Sequence, residues 1–187
     1  MKTTLLKLFF AALFLTGFTS CSKDDGADGD TSELAGEYTI VSMTSNIPVD
    51  LNNDGIASTN LMDELGAAIE NAESPDLEIR PVLLDNELVQ VMSFNLPHPN
   101  VDLSQPDMPT VEYSVEGMGY QYKYDKSTNE ITVEGAGNNG PVPAPGRLET
   151  IEVTEEGDLD AVITKYYYDF ATGKWIQLTI TCEYEQG

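Results

Sequence analysis

The chain has 187 residues, enough for one domain with a substantial hydrophobic core. It carries 32 acidic residues against 9 basic ones, a formal charge of −23, so its surface repels nucleic acids and anionic lipid headgroups and argues against a nucleic-acid-binding role. Because 41% of the residues are hydrophobic, the composition indicates a folded domain with an acidic, solvated surface and not a disordered acidic chain.

Residues 1–20 have the pattern of a secretory signal peptide. Lys2 and Lys7 precede an uninterrupted apolar run over 8–15, which is too short to cross a bilayer because a spanning helix needs about 20 residues. Small residues then lead to Cys21, whose thiol and new amino terminus can both be acylated, and several acyl chains together anchor a protein stably. We predict a lipoprotein signal peptide and lipidation of Cys21; the alternative is a plain signal peptide with an incidental cysteine.

The segment 21–33 is acidic and contains no large apolar residue after the cysteine. This composition predicts a flexible tether. The folded domain is then expected over 34–187, and we find neither a fixed-period repeat nor a second domain in the sequence.

The domain is predicted to consist almost entirely of strands, because short runs of β-branched and aromatic residues alternate with turn residues. In the first strand, Tyr38, Ile40 and Ser42 are expected on one face, with Met43 on the other. Asp85 and Asn86 predict a two-residue hairpin turn. The predicted strands cover 34–46, 77–84, 87–96, 111–118, 120–124, 130–134, 147–154, 158–170 and 175–185.

The mostly short and sequential connections predict an all-β, mainly antiparallel fold: an up-and-down β-barrel of about eight strands. Two proline-rich stretches, 96–110 and 135–146, are expected to be long loops, because proline cannot donate a hydrogen bond in a central strand. One short amphipathic helix is predicted within 59–72, capped by Thr59 or Asn60. Its apolar stripe comprises Leu61, Leu65, Ala68 and Ile69.

A possible calcium loop precedes this helix. Asp50, Asn52 and Asp54 alternate and Gly55 follows, which is the opening of an oxygen-ligand loop that wraps a hard cation. The twelfth position is Leu61 where such loops place a glutamate. The remaining ligands would be the Ile56 carbonyl, Ser58 and an acid from the helix, Asp63 or Glu64. The alternative is an Asx-rich turn that caps the helix without a metal.

Two rows of aromatic residues could line a barrel cavity for an apolar or sugar ligand. The alternative is cross-strand packing that stabilises the sheet. The candidate ligand-binding residues are Tyr120, Tyr122, Tyr124, Tyr166, Tyr168 and Trp175.

Catalytic signals are weak. His98, the one histidine of the sequence, lies in a proline-rich stretch and is expected to be an exposed loop residue. Neither a nucleophile elbow nor a glycine-rich phosphate loop is present in the sequence, and one histidine is a poor basis for a zinc or iron site. Cys182 is expected to be a buried, inert thiol. We therefore predict a protein that is not an enzyme.

The chain resembles the lipocalin-like lipoproteins of Bacteroidetes. The residues that carry the resemblance are the Cys21-Ser-Lys-Asp-Asp start, the strand "LAGEYTIVSMTS", the insertion "VDLNNDGIASTNLMDE" and the strand "GKWIQLTITCEY", although the first strand lacks the lipocalin-type Gly-x-Trp. The resemblance implies a small barrel on a lipid tether, anchored in the outer membrane and exposed at the cell surface, without catalytic residues.

Three hypotheses for the function stay open at this stage. The first is a non-enzymatic barrel that binds a small apolar ligand in its mouth. The second is an interaction module that docks a partner envelope protein or a glycan through its long loops. The third is a carboxylate-dependent hydrolase, for which two acids at glycosidase separation would be needed.

Overall fold

A computed structural model describes residues 33–70, 76–105, 109–134 and 146–187. The chain divides into two compact units, Met1–Asp30 and Thr31–Gly187, and every described residue belongs to the second. The predicted signal peptide, Cys21, most of the tether and nearly all of the second proline-rich stretch therefore lie outside the described residues. In the described part of the chain, no helix has the length and hydrophobicity needed to cross a bilayer.

Antiparallel strands dominate the domain, with one short helix, as the sequence predicts. The helix, α1, covers Leu61–Glu70. The strands are β1 (Gly36–Val49), β2 (Ser58–Asn60), β3 (Leu77–Leu84), β4 (Glu87–Asp102), β5 (Thr110–Asp125), β6 (Glu130–Glu134), β7 (Arg147–Val153), β8 (Leu159–Asp169) and β9 (Lys174–Gln186).

The strands form a nearly closed up-and-down barrel. The hydrogen-bonded order is β6-β5-β4-β3-β1-β9-β8-β7, with the short β2 added to β1. Strands that follow each other in the chain are neighbours in this sheet, except at the steps from β2 to β3 and from β6 to β7. The first and last strands pair with each other, Tyr38 opposite Gln186. We call the end where the chain enters β1 and leaves β9 the terminal end, and the opposite end, which carries α1, the loop end. The predicted fold class is confirmed.

The seam of the barrel lies between β6 and β7. No ladder joins these two strands in the described sheet, but side chains bridge the gap. The Leu148 amide donates to the Tyr120 hydroxyl at 2.8 Å, and Asn129 Nδ2 donates to the Val153 carbonyl at 3.3 Å. In a fully closed barrel the backbone of β6 would pair with the backbone of β7. Here side chains of Tyr120 and Asn129 take over that role for one amide and one carbonyl group of β7.

The barrel interior is packed with large side chains. Phe94 meets Tyr120 and Tyr184 edge to face, with ring centroids 6.1 and 5.9 Å apart. Cys182 is buried among them as a free thiol, as expected, and burial raises its pKa to about 12. Burial of this kind of apolar surface provides most of the stability of a β-barrel.

The predicted faces of the first strand hold only for its first half. Tyr38 and Ile40 share one face, as predicted, and both are buried, but Met43, which was expected on the opposite face, is also buried. The register between β1 and β9 shifts between Ile40 and Ser42, which marks a β-bulge. One extra residue reverses the faces that follow it, and a period-two pattern cannot reveal the extra residue.

The first proline-rich stretch was expected to be a loop, and for its part up to Asp102 this prediction is wrong. β4 continues through Pro97 and Pro99 to Asp102, paired with β5. The pairing of β3 with β4 ends at Phe94, so beyond it β4 has only one hydrogen-bonded neighbour in the described sheet. A proline on such a one-sided stretch leaves no ladder position unfilled.

Candidate functional site

The first predicted aromatic row lies inside the barrel. Tyr120 and Tyr122 are buried, with exposures of 4% and 3%, and belong to the hydrophobic core. Tyr124 is partly buried against that core and donates its hydroxyl hydrogen to Asn129 Oδ1 at 2.6 Å. This row fills the interior, as the packing alternative predicts.

The second row lies on the outer face. Tyr167 belongs to the core, so its neighbours Tyr166 and Tyr168 point away from it. Tyr168 pairs with Trp175 across β8 and β9, their ring centroids 5.7 Å apart, and meets Phe170 at 5.1 Å. The structure therefore does not bring the two rows together. The three rings form an outer aromatic cluster (Tyr168, Phe170, Trp175) at the loop end.

In the loop after β1, side-chain oxygens accept hydrogen bonds from backbone amides of the same loop. Asp50 is buried and accepts from the amides of Asn53 at 2.7 Å and Gly55 at 3.0 Å. Asn52 and Asp54 lie at the exposed outer side, where Asn52 Oδ1 accepts from the Asp54 amide at 2.9 Å. Asn53 and Gly55 have positive φ angles of 63° and 84°, as the sharp bend requires.

The rest of the predicted calcium ligands are divided between the loop, β2 and α1. Ile56 is exposed in the loop and donates its amide to Asp54 at 2.8 Å, and Ser58 Oγ accepts from the Asn60 amide at 3.0 Å. Glu64 is buried on α1 and accepts from the Leu51 amide at 2.9 Å. Burial, partly opposed by this bond, raises the pKa of Glu64.

The oxygen atoms of this loop are of the kind that a hard cation prefers. In the structure, however, the carboxylates of Asp50 and Glu64 accept hydrogen bonds from backbone amides. Within the described ranges, no group of three or more His, Cys, Asp or Glu side chains is arranged to hold a metal ion. In this structure the loop is held by its Asx turns and by hydrogen bonds with Glu64, Asp169 and Tyr113, and calcium binding stays a prediction.

A polar cluster that the sequence analysis did not single out lies in the loop-end half of the barrel. We call it the Lys165 cluster; it consists of Lys165 on β8, Glu116 on β5 and His98 on β4. The Lys165 Nζ atom lies 3.6 Å from Glu116 Oε2, and His98 Nδ1 lies 2.6 Å from the same oxygen. The Lys165 side chain is 0% exposed, whereas that of Glu116 is 34% exposed, so the cluster reaches solvent through the glutamate.

Burial controls the ionisation of this cluster. It lowers the pKa of Lys165 to about 8, against the opposing effect of the Glu116 carboxylate. Burial also lowers the pKa of His98, and the charge of Lys165 adds to that effect while Glu116 opposes it. A neutral imidazole and a lysine close to losing its proton therefore share one carboxylate at neutral pH.

His98 differs from its prediction: it belongs to a strand and its side chain is 17% exposed. Its proline neighbours led to the loop prediction, and the one-sided pairing of β4 explains why they are tolerated in a strand. Lys165 carried a usable signal, because it occupies the same face as Ile163 and Tyr167 in an alternating strand. A charged residue at an apolar position of such a pattern indicates a special site.

Gly146 packs directly on this cluster. Its φ is +123°, and a side chain there would meet the Thr164 carbonyl oxygen at 3.1 Å and Met118 Sδ at 3.0 Å. The close approach brings the backbone that enters β7 against the stem of Lys165, and it requires glycine.

In comparisons with known proteins, no family model, no curated protein and no solved structure matches the chain. The resemblance to lipocalin-like lipoproteins consequently stays a prediction, and any function must be argued from the Lys165 cluster, the outer aromatic cluster and the surface.

Proposed function

We propose that the chain is a lipid-anchored envelope protein without enzymatic activity, whose barrel binds a small and mainly apolar ligand at its loop end. The observation that supports this proposal is the Lys165 cluster, a buried ammonium with a carboxylate and an imidazole at the end of an apolar interior. Small-molecule sites are typically apolar walls with a few convergent polar groups, some with shifted pKa values.

The energetic cost of the cluster supports a binding role. A buried ammonium loses its hydration, a cost that the Glu116 carboxylate at 3.6 Å and the Tyr167 ring, with its centroid 5.7 Å away, have to offset. A methionine or leucine at position 165 would pack in the same core without that cost. Residues that break the apolar pattern of a core at a stability cost are expected at functional sites.

The charges around the cluster define the ligand class. Lys165 and Glu116 already compensate each other, and the chain as a whole carries a formal charge of −23. A free anion would be repelled by the surface before it reached the lysine. We therefore propose a neutral ligand with an apolar body and one carbonyl or hydroxyl oxygen that accepts a hydrogen bond from Lys165 Nζ.

A second candidate function rests on the outer aromatic cluster. Tyr168 is 8% exposed and forms edge-to-face pairs with Phe170 and Trp175. Phe170 and Trp175 are half-buried, so their rings can contact a glycan or a partner envelope protein. In this case the barrel is a rigid scaffold and its interior has only a structural role.

The two candidates are separated by a neutral fluorescent probe, N-phenyl-1-naphthylamine, with native mass spectrometry of the chain purified from its own cells. Ligand binding near Lys165 predicts probe fluorescence and a co-purified small molecule that Lys165→Met reduces at least tenfold, while Phe170→Ala leaves both unchanged. Unchanged probe binding in Lys165→Met would contradict the interior site. Loss of binding only in Phe170→Ala would favour the outer cluster.

The anchor and the location are tested separately. Cys21→Ser is expected to move the chain from the membrane fraction to the soluble fraction, because the acyl chains have no other attachment point in the prediction. Protease treatment of intact cells should remove the wild-type domain if it faces outward. A Cys21→Ser variant that stays with the membranes would contradict the lipid anchor.

A further inference from the structure

The tip of the β3–β4 hairpin extends beyond the rest of the sheet. β3 pairs with β1 only over its first residues, as far as Ile79 opposite Gly36. β4 pairs with β5 only from Val91 onward. Among the described strands, the segment 80–90 therefore pairs only within its own hairpin, and we call it the hairpin arm. Five residues beyond Ile79 correspond to about 16 Å along the strand direction.

The hairpin arm presents leucines to solvent. Leu83, Leu84 and Leu88 are 67%, 47% and 52% exposed, and Leu83 lies directly opposite Leu88 in the hairpin. Asp85 and Asn86 both have positive φ angles, 50° and 68°, typical of a type I′ turn. Leu83 and Leu88 share one face of the hairpin and Leu84 lies on the other, so the arm exposes leucine on both faces. Exposed leucines grouped at one tip of a chain this acidic indicate a surface that is covered in use.

The hairpin arm lies at the terminal end of the barrel, and this position bears on which surface covers its leucines. The arm points away from the loop end, on the side where the chain enters β1. Glu33, the first described residue, contacts Lys126 in the turn between β5 and β6 at the same terminal end. Glu33 is twelve positions along the sequence from Cys21, which carries the predicted lipid. The leucines thus lie at the end of the barrel from which the chain leads back to the predicted anchor.

We propose that the hairpin arm is a second membrane contact, with Leu83, Leu84 and Leu88 inserted into the interfacial region of the bilayer that holds the lipid anchor. The inference rests on the lipid anchor in the proposed function and goes beyond the ligand site. The insertion is shallow and the arm is inclined to the bilayer, because a tip-first entry would carry Asp85 and Glu87 deeper than the leucines, and their carboxylates must stay among the headgroups. Two contacts fix the barrel with its loop end directed away from the membrane.

The net charge of the chain favours a bilayer over a second copy of the chain as the partner of the hairpin arm. Pairing two arms edge to edge would bring together two chains that each carry a formal charge of −23. A zwitterionic bilayer has no such repulsion, and tethering raises the local concentration of the arm at its surface. The same charge predicts weaker contact with a bilayer rich in anionic lipids.

The test uses the lipidated full chain in vesicles of phosphatidylcholine and phosphatidylethanolamine, with a bimane label on Leu88→Cys. Leu103→Cys is the matched control, since Leu103 is 47% exposed and lies just after β4, at the loop end. We expect a blue shift and at least threefold quenching by nitroxide lipid at position 88, and neither at position 103. Replacing Leu83 and Leu84 by serine should reverse the shift at position 88.

The outcomes separate this inference from the anchor. Flotation with the vesicles but identical label behaviour at positions 88 and 103 would overturn the membrane contact and leave the anchor intact. No flotation at all would overturn both. Shielding of position 88 in native envelopes but not in protein-free vesicles would overturn the bilayer in favour of a protein partner, and concentration-dependent shielding without vesicles would overturn it in favour of a second copy.

Discussion

Burial of the Lys165 ammonium makes the stability of the barrel depend on pH. Its pKa is about 8 in the folded chain and near 10.5 when it is exposed in the unfolded one. Between these values the unfolded chain binds more protons, so the contribution of Lys165 to the free energy of unfolding rises with pH, by up to about 3 kcal/mol. Below pH 8 both states are protonated and the full burial cost remains.

This contribution is isolated by comparing the wild type with Lys165→Met. We expect the variant to be the more stable of the two at pH 7 and its advantage to shrink as the pH approaches 10, measured by urea unfolding at each pH. Lys174→Met, which removes an exposed lysine of β9, is the control and should follow the wild type. Parallel curves for Lys165→Met and the wild type would show that the ammonium is not buried.

At the scale of single residues, the sequence predicted which side chains are buried better than it predicted which polar side chains meet. Cys182 and the tyrosines of β5 lie where strand alternation places them, because alternation depends only on neighbours along the chain. The contact of Lys165 with Glu116 and His98 joins three strands that are distant in the sequence. Lys165 alone breaks an alternating pattern, and its meeting with Glu116 and His98 becomes visible only when the strand registers are known.

The loop between β1 and β2 allows a direct test of calcium binding at the level of one element. Asp54 is exposed and bonds only within its own loop, whereas Asp50 is buried and also receives the Phe170 amide at its carbonyl, at 2.8 Å. Asp54→Ala should therefore leave the fold intact and remove a ligand. We expect calorimetric heat of calcium uptake from the wild type and none from Asp54→Ala.

The control for this titration is Glu70→Ala, which alters an exposed acid at the end of α1. It should retain the heat, because Glu70 is not among the predicted ligands. Absence of heat from the wild type would dispose of the calcium hypothesis and leave the Asx turn as the complete explanation of the motif. That motif cannot decide the matter by itself, because the same residues that ligate a cation also satisfy backbone amides.

Elements were predictable where local rules decide them. The helix, with Asn60 Oδ1 accepting from the Met62 amide at its start, and the Asp85-Asn86 turn follow from cap and turn chemistry. The extension of β4 through two prolines and the bulge in β1 were missed. Both depend on which neighbouring strand is present at a given point, a fact that no local pattern contains.

For the whole molecule, the up-and-down order was predictable from short sequential connections, but the position of the seam was not. A ring of eight strands can open between any two neighbours. Here the terminal strands β1 and β9 pair, and the opening falls between β6 and β7, which the long segment 135–146 connects. Two strands joined by a short connection are held side by side, whereas a long connection lets them lie apart. The seam is therefore expected between two strands that a long connection joins.

The side-chain bridges at this seam should then contribute measurably to global stability. Tyr120→Phe keeps the buried ring and removes the acceptor of the Leu148 amide, leaving a part-buried donor without its partner, at a cost of about 1–3 kcal/mol. Hydrogen exchange at Leu148 should accelerate more than at Ile151, whose strand pairing with Ala161 is untouched. Tyr124→Phe, with an exposed hydroxyl, should cost roughly 0.5 kcal/mol or less. Equal stability and equal Leu148 protection in Tyr120→Phe would mean that the barrel does not depend on this bridge to stay closed.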